Sequence, residues 1–320
     1  MKKTDKKKIL VTGALGQIGS ELVMHLRNLY GADNVVASDI RRMRDNPVVE
    51  SGPFETLDVT DAVAMAEVVK RHGCNTIVHL AALLSAVAEA KPQMAWKLNM
   101  GGLYNALEIS RVFGCQFFTP SSIGAFGPAT PKDKTPQDTI QRPGTMYGVT
   151  KVSGELLCDY YHERFGVDTR GVRFPGLISY VTPPGGGTTD YAVDIYYEAI
   201  KSKKYKCFIK EGTYMDMMYM PDALNAISAL LEADPAKLKH RNAFNISAMS
   251  FEPSQIYQEI KKHIPEFVME YDVDPVRQAI AESWPNSLDD RCAREEWGFS
   301  AKYDLASMTI DMLTRLREKL

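Results

Sequence analysis

Short apolar runs alternate with longer amphipathic stretches through the first half of the chain. The runs are rich in β-branched residues and end at glycine or a polar residue, as in KILVT at residues 8–12. Between them, apolar residues recur every three or four positions, the spacing of one helix face. We predict strands over 8–12, 34–38, 54–58, 76–80, 116–120 and 169–174, and helices over 17–30, 61–72, 92–113 and 147–165. This alternation predicts an α/β fold with a doubly wound parallel sheet and helices on both faces.

The regular alternation weakens after residue 174. Segment 179–190 is rich in Gly, Pro and Thr and predicts a loop. The later predicted elements are helices over 191–201, 221–233 and 305–319 and short strands near 206–209 and 216–220. We expect one domain over residues 1–175, to which the chain returns around 206–248. A smaller C-terminal lobe is expected mainly from 176–205 and 249–320.

Composition excludes several classes of protein. The chain has 320 residues and a formal net charge of -2, which gives no electrostatic case for nucleic acid or an anionic membrane as partner. No apolar stretch approaches the roughly 20 residues that span a bilayer. The lysine-rich start lacks a following apolar region, so we expect a solvated tail rather than a signal peptide or a basic arm. Five scattered cysteines without CxxC favour reduced thiols in the cytoplasm, and without HExxH no metal site is predicted.

Glycines with the spacing GxxGxxG follow the first predicted strand and open the first predicted helix. The turn contains Gly13, Gly16, Gln17, Ile18 and Gly19. Glycine allows a tight turn and lets backbone N–H groups approach a pyrophosphate, while the helix N-terminus adds positive dipole character. The spacing alone is also found in plain strand–helix turns. In this strand–turn–helix order it predicts a Rossmann-type dinucleotide-binding domain.

Asp39 ends the second predicted strand, twenty residues after Gly19. A carboxylate there can accept hydrogen bonds from both adenosine ribose hydroxyls and repels the 2′-phosphate of NADP, which favours NAD. Arg41, Arg42 and Arg44 are the counter-argument, because nearby arginines can hold a phosphate. We predict NAD as the cofactor.

Two further groups of cofactor contacts follow later strands. Asp58 and Val59 end the third strand, where they are expected to lie against adenine. Leu80, Ala81 and Ala82 follow the fourth strand and are expected beneath the pyrophosphate and nicotinamide riboside. Tight helix–sheet packing is an alternative reading of the alanines, and both readings are compatible.

Tyr147 and Lys151 stand four residues apart in a predicted helix and therefore share a face. A free phenol has a pKa of about 10 and is a poor base at neutral pH. A nearby ammonium and the charge of oxidised nicotinamide favour phenolate, which can take an alcohol proton as hydride leaves the carbon. Ser122 follows strand 116–120 and offers a hydroxyl beside the substrate oxygen. Its neighbour Ser121 either caps the strand end or contacts substrate.

These motifs and several longer runs resemble the extended short-chain dehydrogenase/reductase family, and within it the short-chain-type L-threonine 3-dehydrogenases. The runs are PSSIGAFGP at 120–128, MYGVTK at 146–151, RFPG at 173–176, GTTDYA at 187–192, MMYMPDA at 217–223 and WP at 284–285. They cover nearly the whole chain except its lysine-rich start. Ser122 is a departure, because many relatives carry threonine there.

The resemblance implies oxidation of the 3-hydroxyl of L-threonine to 2-amino-3-oxobutyrate with NAD as hydride acceptor. Tyr147 would be the general base, Ser122 would orient the hydroxyl, and Lys151 would tune Tyr147 and bind the nicotinamide ribose. The implied substrate contacts are Ser85, Ser121, Tyr147, Gly187, Thr188, Thr189 and Trp284, and further cofactor contacts are Asn99, Tyr147, Lys151 and Pro175.

Alternatives remain for several of these residues and for the assembly. Ser85 fits equally a buried hydroxyl bonded to backbone, and Trp284 fits packing of the C-terminal lobe. The resemblance also implies a homodimer through helices 92–113 and 147–165, although both helices can simply pack on the sheet.

Two rival functions share this scaffold. A nucleotide-sugar dehydratase needs an acid beside the catalytic hydroxyl, whereas Ser122 is followed by Ile123 and Gly124. A nucleotide-sugar epimerase or dehydratase also needs cationic groups for a second diphosphate, and segment 179–190 offers Pro, Gly and Thr instead. A non-catalytic NAD sensor is expected to have lost Tyr147 or Lys151, and this chain keeps both.

Overall fold

The protein is described from a computed structural model, which covers residues 7–183, 185 and 187–320. Its strands are β1 (Ile9–Thr12), β2 (Val35–Asp39), β3 (Phe54–Thr56), β4 (Thr76–His79), β5 (Gln116–Phe118), β6 (Ser121–Ser122), β7 (Thr169–Arg170), β8 (Val172–Phe174), β9 (Gly176–Ile178), β10 (Lys204–Cys207), β11 (Met215–Tyr219), β12 (Phe244–Asn245), β13 (Met249–Phe251) and β14 (Val268–Tyr271). Its α-helices are α1 (Gln17–Tyr30), α2 (Pro47–Glu50), α3 (Ala62–His72), α4 (Ser85–Ala90), α5 (Pro92–Phe113), α6 (Met146–Phe165), α7 (Tyr191–Lys201), α8 (Met220–Glu232), α9 (Pro253–Lys261), α10 (Pro275–Ser283), α11 (Arg291–Trp297) and α12 (Leu305–Lys319). Short 3-10 helices include Ala32–Asn34, Ile123–Ala125, Thr188–Asp190 and Pro235–Lys237.

A six-stranded parallel sheet confirms the predicted α/β fold. Its strand order is β3-β2-β1-β4-β5-β7, and every neighbouring pair runs parallel. Strand β1 is fully buried, as expected for a strand whose two faces are covered by helices. The order reverses between β1 and β4, and in such sheets ligands bind at the carboxyl ends of the strands beside the reversal.

Local capping explains where the helices around this sheet begin and end. Asp61 precedes α3 and accepts a hydrogen bond from the Ala64 N–H at 2.9 Å, and α3 ends at Gly73 with a φ of 62°. Thr145 caps α6 in the same way, because its hydroxyl accepts from the Gly148 N–H at 3.1 Å. Helix α6 therefore starts one residue before Tyr147, at Met146.

The chain divides into two compact units. Unit 1 comprises Met1–Ser121, Thr145–Val172 and Ile227–Ala243, and unit 2 comprises Ser122–Gly144, Arg173–Ala226 and Phe244–Leu320. Unit 1 contains the six-stranded sheet. The predicted division into a domain over 1–175, with a return around 206–248, and a lobe mainly over 176–320 stays a prediction.

Unit 2 has its own apolar core. A three-stranded sheet, β13-β11-β9, and a parallel pair, β10-β14, carry helices α7, α9 and α12. The largest side chains buried in this core include Tyr191, Tyr196, Tyr219, Phe251 and Phe267. Among the described residues, no helix is long and apolar enough to cross a membrane. The cytoplasmic location stays a prediction.

The predicted strand 169–174 is wrong as one element, because it is broken at Gly171 into β7 and β8. The backbone passes so close to β5's exit here that a Cβ on Gly171 would lie 2.5 Å from the Thr119 carbonyl oxygen. Glycine is required by that approach. Short helices α2, α4, α9, α10 and α11 are further differences from the predicted elements.

Candidate active site

The glycine turn after β1 packs against the backbone that leaves β4. Gly13 has a φ of 68°, and a Cβ on it would lie 2.7 Å from the Ala81 nitrogen. A Cβ on Gly19 would lie 2.2 Å from the Gly13 carbonyl oxygen, and one on Gly16 3.2 Å from the same atom. Side chains at Gly13 or Gly19 would therefore fill the turn itself. The turn and Leu80–Ala82 meet at the point where the strand order reverses.

Asp39 is joined to this turn by a hydrogen bond. Its Oδ2 accepts from the Leu15 N–H at 3.1 Å, and its Oδ1 accepts from the Arg41 N–H at 3.4 Å. Helix α1, which holds Gln17 and Ile18 in its first turn, has no side-chain N-cap and no acidic first-turn residue within its described length. Its N-terminus therefore keeps the positive end of the helix dipole for an anion.

The arginines beside Asp39 argue against NAD, because they could bind the 2′-phosphate of NADP. The guanidinium carbon of Arg42 lies 5.4 Å from the centroid of the Phe54 ring, a cation–π arrangement at the edge of the sheet. This contact accounts for Arg42 without a phosphate. The cradle of small residues, the open helix N-terminus and the carboxylate of Asp39 together fit a dinucleotide without a 2′-phosphate.

The predicted adenine contacts follow β3. Asp58 Oδ1 accepts from the N–H and the hydroxyl of Thr60 at 2.9 and 2.8 Å, which fixes the tight turn there. Val59 is buried, and its carbonyl accepts from the Asn105 amide at 3.0 Å. The Val59 side chain lies so close to Gly102 that a Cβ on that glycine would be 2.7 Å from its methyl group. The contact of Asp58 and Val59 with adenine stays a prediction.

Asn99 fastens the loop after β4 to α6. Its Oδ1 accepts from the Leu83 N–H at 2.8 Å, and its Nδ2 donates to the Leu83 carbonyl and to the Thr150 hydroxyl, both at 3.2 Å. Ser85, two residues on, opens α4 and is half-buried. Cofactor contact by Asn99 and substrate contact by Ser85 stay predictions.

Tyr147 and Lys151 occupy one face at the start of α6, as their spacing predicts. The Lys151 Nζ lies 5.4 Å from the centroid of the Tyr147 ring. The same ammonium donates to the Pro120 carbonyl at 2.6 Å. The structure therefore places a fixed ammonium beside the half-buried phenol of Tyr147.

A small cavity of about 40 Å³ lies behind this pair in unit 1. Polar side chains that line it include those of His79, Asn99, Thr119, Ser121, Thr150, Lys151, Glu155 and Asn242. Burial, and secondarily the charge of Lys151, lower the pKa of His79 to about 3, so this imidazole is neutral at physiological pH. Its Nδ1 lies 3.0 Å from the Thr12 hydroxyl, while its buried Nε2 has no hydrogen-bond partner among the described residues.

The two neighbouring serines after β5 have different hydrogen-bond partners. Its buried hydroxyl donates to the Glu155 carboxylate in a short hydrogen bond. Ser122 belongs to unit 2, where it is half-buried and its hydroxyl accepts from the Gly124 N–H at 3.1 Å, starting the 3-10 helix Ile123–Ala125. Ser121 is therefore hydrogen-bonded to α6, whereas its contact with substrate and the catalytic role of Ser122 stay predictions.

The other predicted substrate contacts lie in unit 2. Gly187 donates its N–H to Asp190 Oδ2 at 2.7 Å, and the 3-10 helix Thr188–Asp190 follows. Thr188 is buried, whereas Thr189 is half-buried and packs on Gly176, one residue after the buried Pro175. Trp284 is buried in the unit 2 core. The roles of these residues toward substrate and cofactor stay predictions.

Three residues of this region escaped the sequence analysis. His79 is a polar residue at the buried C-terminal end of strand TIVH, a signal that was available in the sequence. Glu155 follows Lys151 by four positions and Tyr147 by eight, which places all three on one helix face. Asp190 accepts hydrogen bonds from the N–H groups of Gly185 and Gly187, and the sequence pattern gives no sign of these contacts.

A family model described as the NAD dependent epimerase/dehydratase family matches residues 9–247. The chain belongs to this family. The resemblance to extended short-chain dehydrogenases/reductases is thereby confirmed, and so is NAD as the cofactor of this family of enzymes.

Individual relatives match along almost the whole chain. An uncharacterized epimerase/dehydratase of Staphylococcus saprophyticus is 61% identical over 313 residues, 98% of each chain. The solved L-threonine dehydrogenase of Clostridium difficile is 69% identical, with a TM-score of 0.97 and 98% of each chain covered. A monomeric L-threonine 3-dehydrogenase from a metagenome is 43% identical, with a TM-score of 0.93 over 97% of this chain and 99% of that one.

Proposed function

We propose that this enzyme oxidises the 3-hydroxyl of L-threonine to 2-amino-3-oxobutyrate, with Tyr147 as the general base. The observation that carries the proposal is the whole-length likeness to the Clostridium difficile enzyme, at an identity of 69%. The arrangement of Tyr147 and Lys151 supports it, because removing an alcohol proton needs a base.

The chain's own residues handle binding and the proton. Lys151, anchored on the Pro120 carbonyl, stabilises the phenolate of Tyr147, which takes the proton from the threonine oxygen. The hydroxyl of Ser122 orients that oxygen. The glycine turn and Asp39 would hold NAD, which would supply the acceptor for the hydride from C3. Thr188 and Thr189 hold the amino-acid head group.

The experiment is a substrate panel with purified protein and NAD, followed by NADH absorbance. L-threonine should be oxidised faster than L-serine, and 3-hydroxybutyrate should be a poor substrate because it lacks the amine. The Tyr147→Phe variant should lose at least about a hundredfold in kcat, the usual size of general-base catalysis. Tyr214→Phe, which alters an exposed phenol in unit 2, is the matched control and should keep full activity.

Two outcomes would contradict the proposal. If a nucleotide sugar is epimerised or dehydrated and threonine is not oxidised, the enzyme acts as another member of its family. If no alcohol is oxidised although NAD binds, the chain is a sensor rather than a dehydrogenase.

We also propose that two copies of the chain pair through α5 and α6. Large apolar side chains lie exposed on these helices: Tyr104, Val112 and Phe113 on α5, and Val149, Leu156, Tyr160 and Phe165 on α6. Some are in mutual contact, since the Tyr160 and Phe165 rings are 5.7 Å apart. Exposed apolar side chains that cluster on a protein surface mark interaction sites. The monomeric relative makes this pairing a question for experiment.

A further inference from the structure

Helix α6 holds the segment that follows β5 at two points, one helical turn apart. Lys151 Nζ donates to the Pro120 carbonyl at 2.6 Å, and the Ser121 hydroxyl donates to the Glu155 carboxylate. The carbonyl of Pro120 and the nitrogen of Ser121 belong to the same planar peptide group. The contact with Glu155 therefore fixes Ser121, whose nitrogen belongs to the same peptide group as the carbonyl that Lys151 contacts.

The contact between Ser121 and Glu155 is shielded from water. Ser121 is 7% exposed and Glu155 is 5% exposed, and both line the cavity of about 40 Å³ that Lys151 also lines. A buried hydroxyl or carboxylate that loses its partner costs about 1–3 kcal/mol, so the pair is held in one arrangement. The segment cannot turn its carbonyl elsewhere without breaking the Ser121 contact.

We propose that Glu155 is a positioning residue for proton transfer, because through Ser121 it holds the Pro120 carbonyl that anchors the ammonium of Lys151 beside Tyr147. It touches none of the reacting atoms. The reaction in this proposal is the proposed function, whereas the contacts of Glu155, Ser121 and Lys151 do not depend on which substrate the enzyme uses.

Among the described residues, the titratable groups near Lys151 include Tyr147. Glu155 and Cys158 lie on its own helix, and His79 faces it from β4. Burial lowers the pKa of His79 and raises that of Cys158, so both stay neutral near pH 7. Glu155 acts through its acceptor oxygen, which an amide also provides. Glu155→Gln should therefore preserve the arrangement, whereas Glu155→Ala and Ser121→Ala should release the peptide.

The test is an absorbance titration of the Tyr147 phenolate in protein without cofactor. For each protein, the spectrum of the same variant with Tyr147→Phe added is subtracted. The subtraction removes the absorbance of the other tyrosines. An ammonium released from its anchor no longer stabilises the phenolate charge, so the midpoint should move up. Glu155→Ala and Ser121→Ala should show this shift, and Glu155→Gln should not.

Thr169→Val is the matched structural control. Its hydroxyl, also buried, donates to the Cys158 carbonyl of α6 at 3.1 Å, so its loss loosens the same helix two turns away. This variant should lower thermal stability and leave the Tyr147 midpoint unchanged. With threonine as substrate, Ser121→Ala should lose about tenfold in kcat near neutral pH, with KM unchanged, and recover at alkaline pH.

Unchanged midpoints in Glu155→Ala and Ser121→Ala would overturn the positioning role, as would a Glu155→Gln variant that shifts like Glu155→Ala. A shift of equal size in Thr169→Val would show that any loosening of α6 suffices and would also overturn it. If threonine is not oxidised by the unaltered protein while the midpoints move as expected, only the proposed function fails.

Discussion

Replacing Gly19 by alanine tests how the glycine turn holds the cofactor. The added methyl carbon would stand 2.2 Å from the Gly13 carbonyl oxygen and 2.8 Å from the Ala14 Cα, both backbone atoms. Non-bonded heavy atoms prefer separations of about 3.5 Å or more, so the turn must open by about 1 Å. Overpacking of this kind costs about 1–3 kcal/mol.

The same displacement should weaken NAD binding, because it moves the N–H groups at the start of α1. It also moves the Leu15 N–H, which donates a hydrogen bond to Asp39. If the whole cost falls on the bound turn, the dissociation constant rises about 10- to 100-fold. Gly16→Ala, whose methyl would be 3.2 Å from the Gly13 carbonyl oxygen, should have a smaller effect.

Gly73→Ala is the matched control for the backbone. Gly73 ends α3 with a φ of 62°, and a Cβ there would meet nothing within 4 Å. The left-handed conformation should cost about 1 kcal/mol in the free energy of unfolding, without any change in NAD affinity. The assays are urea denaturation and titration of NAD by protein fluorescence. A Gly19→Ala variant that binds NAD as tightly as the unaltered protein would refute the reasoning. An equal loss of NAD affinity in Gly73→Ala would refute it too.

Two other predictions concern unit 2 and the assembly. Burial raises the pKa of Asp216 to about 8, although this carboxyl group accepts hydrogen bonds from the Ser247 hydroxyl and the Leu288 N–H. Between about pH 4 and pH 8 the folded state therefore binds more protons than the unfolded state. The free energy of unfolding should fall by a few kcal/mol as pH rises through this range. Asp216→Asn should remove that dependence in urea denaturation at pH 5 and pH 8, and an equal difference between the two proteins at both pH values would be evidence against it. Leu156→Glu should convert a dimer to a monomer in light scattering, whereas Ile310→Glu, which alters an exposed apolar residue of α12 in unit 2, should not. An unaltered protein that is already monomeric would exclude the pairing.

Elements with strong local signals were predictable from the sequence. Helix α1 has the predicted bounds of 17–30, because a glycine turn, apolar spacing and a terminal glycine all lie within it or beside it. Helix α5 likewise matches its predicted range of 92–113. Tyr147 and Lys151 share a face for the same local reason, since positions four apart in a helix always do.

Short helices were not predicted, because their stability comes from tertiary packing rather than from their own length. Helices α9 and α10 nevertheless carried a readable signal. Glu252 caps α9 before Pro253, and Asp274 caps α10 before Pro275, so each places proline at the first helical position after a capping acid.

The role of Ser121 could not be read from its own surroundings. Its partner Glu155 lies 34 residues further along the chain, and only the packing of α6 against the sheet brings the two together. The position of Glu155 on the Tyr147 face of α6 was available from the sequence, whereas its contact with Ser121 required the fold.

Transfer of deuterium from C3 of labelled L-threonine to NAD tests the central claim most directly. Purified protein is incubated with NAD and L-threonine deuterated at C3, and both products are examined by mass spectrometry. The account predicts one deuterium in the NADH formed, 2-amino-3-oxobutyrate as the other product, and a loss of at least about a hundredfold in rate for Tyr147→Phe. NADH without deuterium, or an active Tyr147→Phe variant, would contradict it.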